Sequence, residues 1–134
     1  MDFETKAIRL QTERSQFQEH STPLYLTSSF IFEDAEEMRA SFAEEKERNL
    51  YSRFSNPNTA EFVNKIVALE GAESGYAFAT GMAAIYASFA ALLSSGDHIV
   101  SARSVFGSTH TLFTKYFPKW GIETSYFDIN KFLI

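Results

Sequence analysis

The sequence predicts an α/β fold: the first part of a mainly parallel sheet with helices packed on it, preceded by an extended N-terminal arm. Three observations carry this reading. After Gly71 short apolar runs alternate with helical stretches in a βαβαβ order. Two of those runs stop at residues suited to start a helix, Thr80-Gly81 and Phe106-Gly107-Ser108. Residues 1 to about 30, in contrast, show almost no periodicity.

The composition is that of an ordinary soluble chain, 134 residues with 45% hydrophobic and 22% charged side chains. Twelve Lys and Arg against 17 Asp and Glu leave a net charge of −5, so no basic field draws the chain to nucleic acid or an anionic membrane. There is no cysteine, and MDFETKAIRL lacks a charged-then-apolar signal, so a cytoplasmic protein is expected. The longest apolar run, Met82 to Leu93, is interrupted by Ser88 and falls short of the ~20 residues that cross a bilayer. It is expected to be a core helix.

Taken in order, a short helix is expected around Thr5 to Thr12, then a polar stretch from Glu13 to His20. His20-Ser21-Thr22-Pro23 continues extended, because the residue before proline is pushed out of the α region. Leu24, Tyr25, Leu26 and Phe30 give this arm apolar residues to cover, against either its own domain or a second subunit. Asp34 and Glu37 make a capping-box-like start to a helix of about 34 to 44, with Ala35, Met38 and Phe42 on one face. The charge run Glu44 to Arg48 reads as a solvated helix end or surface loop.

In Tyr51-Ser52-Arg53 two extended residues at i and i+2 share one side of the backbone, which brings a hydroxyl and a guanidinium together. Such a pair holds a phosphate dianion, or is simply a surface arginine beside a packed tyrosine. Asn56 caps and Pro57 opens a helix with the face Phe62, Val63, Ile66, Val67 and Leu69, closed by Gly71.

Strands are expected near 76 to 79, 98 to 102 and 123 to 127, and helices over 81 to 95, with Gly96 as C-cap, and about 108 to 117. Pro118 is expected to end the last helix. Thr80 is a good N-cap, and the amides of Gly81, Met82 and Ala83 face the positive end of the helix dipole. That junction either binds an anion such as phosphate or is a purely structural strand-to-helix turn. Ligands of open α/β sheets sit at the carboxyl ends of strands, and Phe106 there is either a stacking surface or a core residue. His98 reads as a strand-end histidine, with no second ligand at metal spacing.

Three signatures in this order, Tyr51-Ser-Arg-Phe-Ser-Asn-Pro-Asn, Ala79-Thr-Gly-Met-Ala-Ala and Val105-Phe-Gly-Ser-Thr, resemble the Cys/Met-metabolism family of pyridoxal-phosphate enzymes. The likeness runs from Thr22-Pro23-Leu24-Tyr25 to Gly121-Ile122-Glu123. It implies the N-terminal part of the aspartate aminotransferase-like fold (fold type I), with residues 1–55 as arm and dimer-contact segment and 56–134 as the first part of the pyridoxal-phosphate domain. By the same resemblance Thr80, Gly81 and Met82 hold the cofactor phosphate, and Tyr51 and Arg53 reach the cofactor of a neighbouring subunit. A homo-oligomer follows, a dimer of dimers at full length. Phe106 stands where lyases and γ-synthases of the family usually have a ring-stacking tyrosine; phenylalanine stacks but cannot titrate.

That departure, with His20-Ser21 and the run 103–109, most resembles the O-succinylhomoserine sulfhydrylases of the family, which implies γ-replacement on an O-acylated homoserine by sulfide. Cystathionine γ-synthase and the methionine or cystathionine γ-lyases are the alternatives, as is a non-catalytic remnant that only associates with a full-length homologue. The resemblance also implies that the Schiff-base lysine, the aspartate on the pyridine nitrogen and the substrate-binding arginine lie outside these residues. Lys115 in Thr114-Lys115-Tyr116 imitates the catalytic-lysine context but reads as a solvated helix lysine. A fragment is therefore expected, with the strand at 76–79 deprived of its ladder partners and an isolated chain that is poorly stable or aggregates.

Overall fold

The computed structural model describes residues 1–10 and 14–131. Thr12 and Glu13, and the end of the tail at 132–134, lie outside them. The chain divides into two compact units, Met1–Ala77 and Phe78–Ile134.

In the first unit α1 (Phe3–Arg9) starts at Asp2, whose carboxylate accepts from the Thr5 amide. It packs on α3 (Pro57–Glu70). Helix α3 begins at Asn56 with Pro57 in its first turn and stops at Gly71, which takes the left-handed conformation (φ 66°) that glycine adopts without strain. Its expected core face is only half realised. Val63, Val67 and Leu69 are partly covered, whereas Phe62 and Ile66 are exposed.

The arm is tied to the start of α3. Asn58 donates to the Pro23 carbonyl and accepts from the Tyr25 amide, and Asn56 donates to the Tyr25 carbonyl. Leu24, Leu26 and Ile31 nevertheless point away from this unit and stay exposed.

Helix α2 (Ala35–Phe42) starts at Asp34, which accepts from Glu37 N–H at 2.7 Å. Glu37 reaches back one residue further than a capping box, to Glu33 N–H. The charge run does more than coat a surface. Lys46 and Arg48 both pair with Glu37, and Glu45 pairs with Arg39.

In the second unit β1 (His98–Ala102) and β2 (Glu123–Phe127) pair in parallel, His98 beside Glu123 through Ala102 beside Phe127. The predicted strand at 76–79 does not form: residues 75–79 have no ladder, because no strand lies beside them among the described residues. Helix α4 (Gly81–Leu92) ends at Leu92, three residues short of expectation, with Leu93 as its C-cap; Gly96 serves the following turn instead.

The last helix also departs from its prediction. Helix α5 (Gly107–Thr111) runs into a π-turn, Leu112–Tyr116, and then a 3₁₀ turn, Phe117–Trp120, so Pro118 sits inside the segment rather than at its end. Proline has no N–H to give to Thr114, and the ladder widens before it and tightens after it. This places Phe113 and Phe117 inward. They form the core with Ile99, Leu112 and Ile122.

Ile85 and Phe89 of α4, with Leu93 just past its end, pack on that core, Phe89 meeting Phe113 edge to face at 4.9 Å. No residue of α4 is fully buried. It is not the wholly enclosed core helix expected, since only one of its faces has a partner among the described residues.

Candidate functional site

Thr80 begins α4 with an extended backbone (φ −147°, ψ 155°), and its Oγ1 accepts from Ala83 N–H at 3.1 Å. Its carbonyl accepts from Ala84 N–H. The amides of Gly81 and Met82 are left with no acceptor among the described residues, at the positive end of a twelve-residue helix. A Cβ built on Gly81 would meet nothing within 4 Å, so the approach to those amides is open. Ala83, by contrast, has its amide occupied by the cap. The first turn carries no acidic residue to oppose an anion.

Met82 and Phe106 line one open cleft of about 520 Å³, together with Ser108, Thr111 and Tyr116. Phe106 precedes α5 and is 70% exposed, so its ring is a free surface rather than core. Ser108, Thr111 and Tyr116 were not foreseen at this cleft. Tyr116 arrives there through the π-turn, which adds one residue to the turn, and no sequence periodicity signals it.

Tyr51 and Arg53 lie in the first unit. The extended alternation expected for them is absent: residues 52–54 form a turn in which Phe54 and Ser55 both donate to the Tyr51 carbonyl. The two side chains still meet, with the Arg53 guanidinium carbon 5.3 Å above the Tyr51 ring. Tyr51 is positioned by an antiparallel bridge to Ser29 of the arm, flanked by bonds from Phe30 N–H to Leu50 and Ser52 N–H to Ser28. Arg53 has no ion pair among the described residues and borders a cleft of about 280 Å³ with Ser52, Asn56 and Thr59.

His98 bonds to Ser125 Oγ across the sheet at 3.0 Å, in keeping with a strand-end role. Lys115 is exposed on the π-turn. No three His, Cys, Asp or Glu residues are grouped to hold a metal among those described. No described helix is long and apolar enough to cross a membrane.

Two amides without an acceptor among the described residues and an exposed aromatic face in the same cleft as Met82 are groups that fit a phosphate ester carried on an aromatic ring.

The family described as Cys/Met metabolism PLP-dependent enzyme matches residues 4–133. An O-succinylhomoserine sulfhydrylase from Pseudomonas aeruginosa is 48% identical over 124 residues, 92% of this chain and 31% of that protein. An L-methionine gamma-lyase from Fusobacterium nucleatum is 36% identical, again over 92% of this chain and 31% of its own. Among solved structures, one described as an O-acetylhomoserine (thiol)-lyase from Campylobacter jejuni, carrying N'-pyridoxyl-lysine-5'-monophosphate, superposes with a TM-score of 0.88 at 31% identity. It covers 97% of this chain and 32% of that one. The chain thus spans about a third of the length of the proteins it matches.

Proposed function

The chain belongs to the Cys/Met metabolism PLP-dependent enzyme family, and from that premise we propose that residues 1–134 form the arm and the first cofactor-binding segments of an enzyme that replaces the acyl group of an O-acylated homoserine with sulfide. The observation that carries this is the open start of α4. Gly81 and Met82 amides have no acceptor among the described residues, Thr80 holds the turn, and Met82 shares a cleft with Phe106.

In this reading the Gly81 and Met82 N–H groups and the Thr80 hydroxyl hold the cofactor phosphate, and Phe106 lies against the pyridine ring. Tyr51 and Arg53 serve the cofactor of a neighbouring subunit, Arg53 by charge-assisted bonds and Tyr51 through its hydroxyl. Residues 1–55 are then an arm that meets a second subunit, and 56–134 the beginning of the cofactor domain. The full-length protein is a dimer of dimers in the cytoplasm. When bound, pyridoxal 5'-phosphate supplies the electron sink that lets the γ-substituent leave. Phe106 offers no proton in the stacking position, so proton movement falls to other groups.

None of residues 1–134 bonds covalently to the cofactor in this proposal, Lys115 included. The reading of O-succinylhomoserine plus sulfide giving homocysteine is supported by the 48% identity to the Pseudomonas sulfhydrylase; elimination from methionine is the second reading, supported by the 36% identity to the Fusobacterium lyase.

The test has two arms. The 134-residue chain is titrated with pyridoxal 5'-phosphate and with pyridoxal, reduced with borohydride and mass-analysed. Preference for the phosphorylated form without a covalent increment is expected; an increment on Lys115 overturns the assignment. A chain extended by its natural downstream sequence is then assayed with sulfide and O-succinylhomoserine, O-acetylhomoserine or methionine. Activity confined to methionine elimination replaces the first reading with the second, and no activity with any of them favours a non-catalytic associating chain.

A further inference from the structure

The first unit gathers a second set of cations that the proposed cofactor site does not use. Arg9 at the end of α1, Arg14 and His20 of the arm and Lys65 of α3 line one cavity of about 250 Å³, with Ser21 and Thr22 at its wall. No carboxylate lines it among the described residues, although acidic residues outnumber basic ones 17 to 12 in the chain. A local excess of positive charge against the sign of the whole molecule is therefore built here.

The ion pairs among the described residues engage Arg39, Lys46 and Arg48, and neither Arg9 nor Lys65 has a carboxylate partner among those residues. Arg14 donates to the Glu19 carbonyl and lies in the field of the Glu19 carboxylate, which Ser15 binds through both its hydroxyl and its amide. Arg9 rests instead on His20, whose Nε2 is 2.7 Å from a guanidinium nitrogen. A guanidinium only donates, so the ring accepts there and carries its proton on Nδ1. A neutral ring is the weaker partner for a cation, and an anion that reached the cavity would take its place.

We infer that this cavity binds a small dianionic oxyanion of the phosphate type. Arg9 and Arg14 supply planar donor pairs, half-buried Lys65 supplies a point charge, and the Ser21 and Thr22 hydroxyls complete the donors. Neither Tyr51 nor Arg53 lines it, and none of its residues belongs to the proposed cofactor site.

The test titrates inorganic phosphate into the 134-residue chain at constant ionic strength and follows the imidazole resonances of its three histidines by NMR. His20 is expected to shift saturably while His98, bonded to Ser125, and His110, beside Tyr126, do not. Sulfate competes and acetate does not. Arg9→Gln and Lys65→Gln each weaken phosphate binding about tenfold, the loss of one charge-assisted contact. The Tyr25 amide, held by Asn58, reports that the arm stays docked in each variant. A motionless His20, equal movement of all three histidines, or unchanged affinity in both variants with the arm docked overturns the inference.

Discussion

At the scale of single residues, one amide side chain, that of Asn56, does the work of a linker. Asn56 is buried, and it caps α3 through Oδ1, donates to the Tyr25 carbonyl and donates to Ser52 Oγ at 3.0 Å. It joins the arm, the turn that carries Arg53 and the helix behind them. Asn56→Ala removes the cap and strands buried partners, so a loss of about 1–3 kcal/mol is expected in denaturant unfolding. For the cofactor site the contrast is between charge and stacking. In the complete enzyme Arg53→Ala is expected to weaken cofactor retention more than Phe106→Leu, since a charge-assisted bond is worth about 1.5–3 kcal/mol and a ring contact about 0.5–1.5. Dialysis followed by cofactor absorbance measures it, and equal losses would count against the phosphate role of Arg53.

At the scale of elements, Glu37 holds residues 30–48 together. Lys46 bonds its carboxylate at 2.7 Å, Glu33 N–H at 2.7 Å and Arg48 at 2.5 Å, while Arg48 also donates to the Ile31 carbonyl and covers the Phe32 ring. The hydrogen bond from Lys46, then that from Glu33 N–H, with the charges of Arg48 and Lys46 behind them, hold its pKa down at about 2 against the opposing effect of desolvation. A carboxylate whose folded pKa lies below its unfolded value stabilises the fold above the unfolded value and loses that stabilisation as pH falls through the folded one. The denaturant midpoint is thus expected to exceed that of Glu37→Gln at neutral pH, the gap closing between about pH 4.5 and pH 2. A gap that persists at pH 2 would mean that packing, not charge, holds the loop. At the entry to β2, Gly121 has φ 74° and its missing Cβ would overlap Ser95 Oγ. Gly121→Ala combines strain with a clash and is expected to cost more than about 1 kcal/mol in thermal unfolding.

At the scale of the molecule, apolar burial is uneven. Among the described residues every fully buried apolar side chain, Ile99, Leu112, Phe113, Phe117 and Ile122, belongs to the second unit. The first unit leaves Phe3, Phe17, Leu24, Leu26 and Ile31 more than 60% exposed, and α4 leaves Leu92 81% exposed. Surfaces of this kind associate. The 134-residue chain is expected to bind an apolar dye and to sediment as self-associated species; a monomer that binds no dye and melts in one cooperative transition would contradict this.

Local chemistry was legible at several helix boundaries, though not at Gly96 or Pro118. Asp34, Asn56-Pro57, Gly71 and Thr80 each mark a helix boundary through a bond or a backbone angle that the residue itself supplies, and β1 and β2 follow from short runs enriched in β-branched and aromatic residues. The three motifs that carry the family likeness were legible for the same reason, since each is short and contiguous. Contacts between distant positions were not. The π-turn that brings Tyr116 to Phe106, the turn that stacks Arg53 on Tyr51, the clasp of Glu37 by Lys46 and Arg48 and the arginine–histidine pair in the arm join residues that no period relates. The sequence by itself determined where α2, α3 and α4 start and which family the chain belongs to, because caps and motifs act over a few bonds. Only the tertiary structure decided that Tyr76–Ala79 has no ladder and that α4 is half covered, because a strand or an apolar face takes its state from what lies beside it.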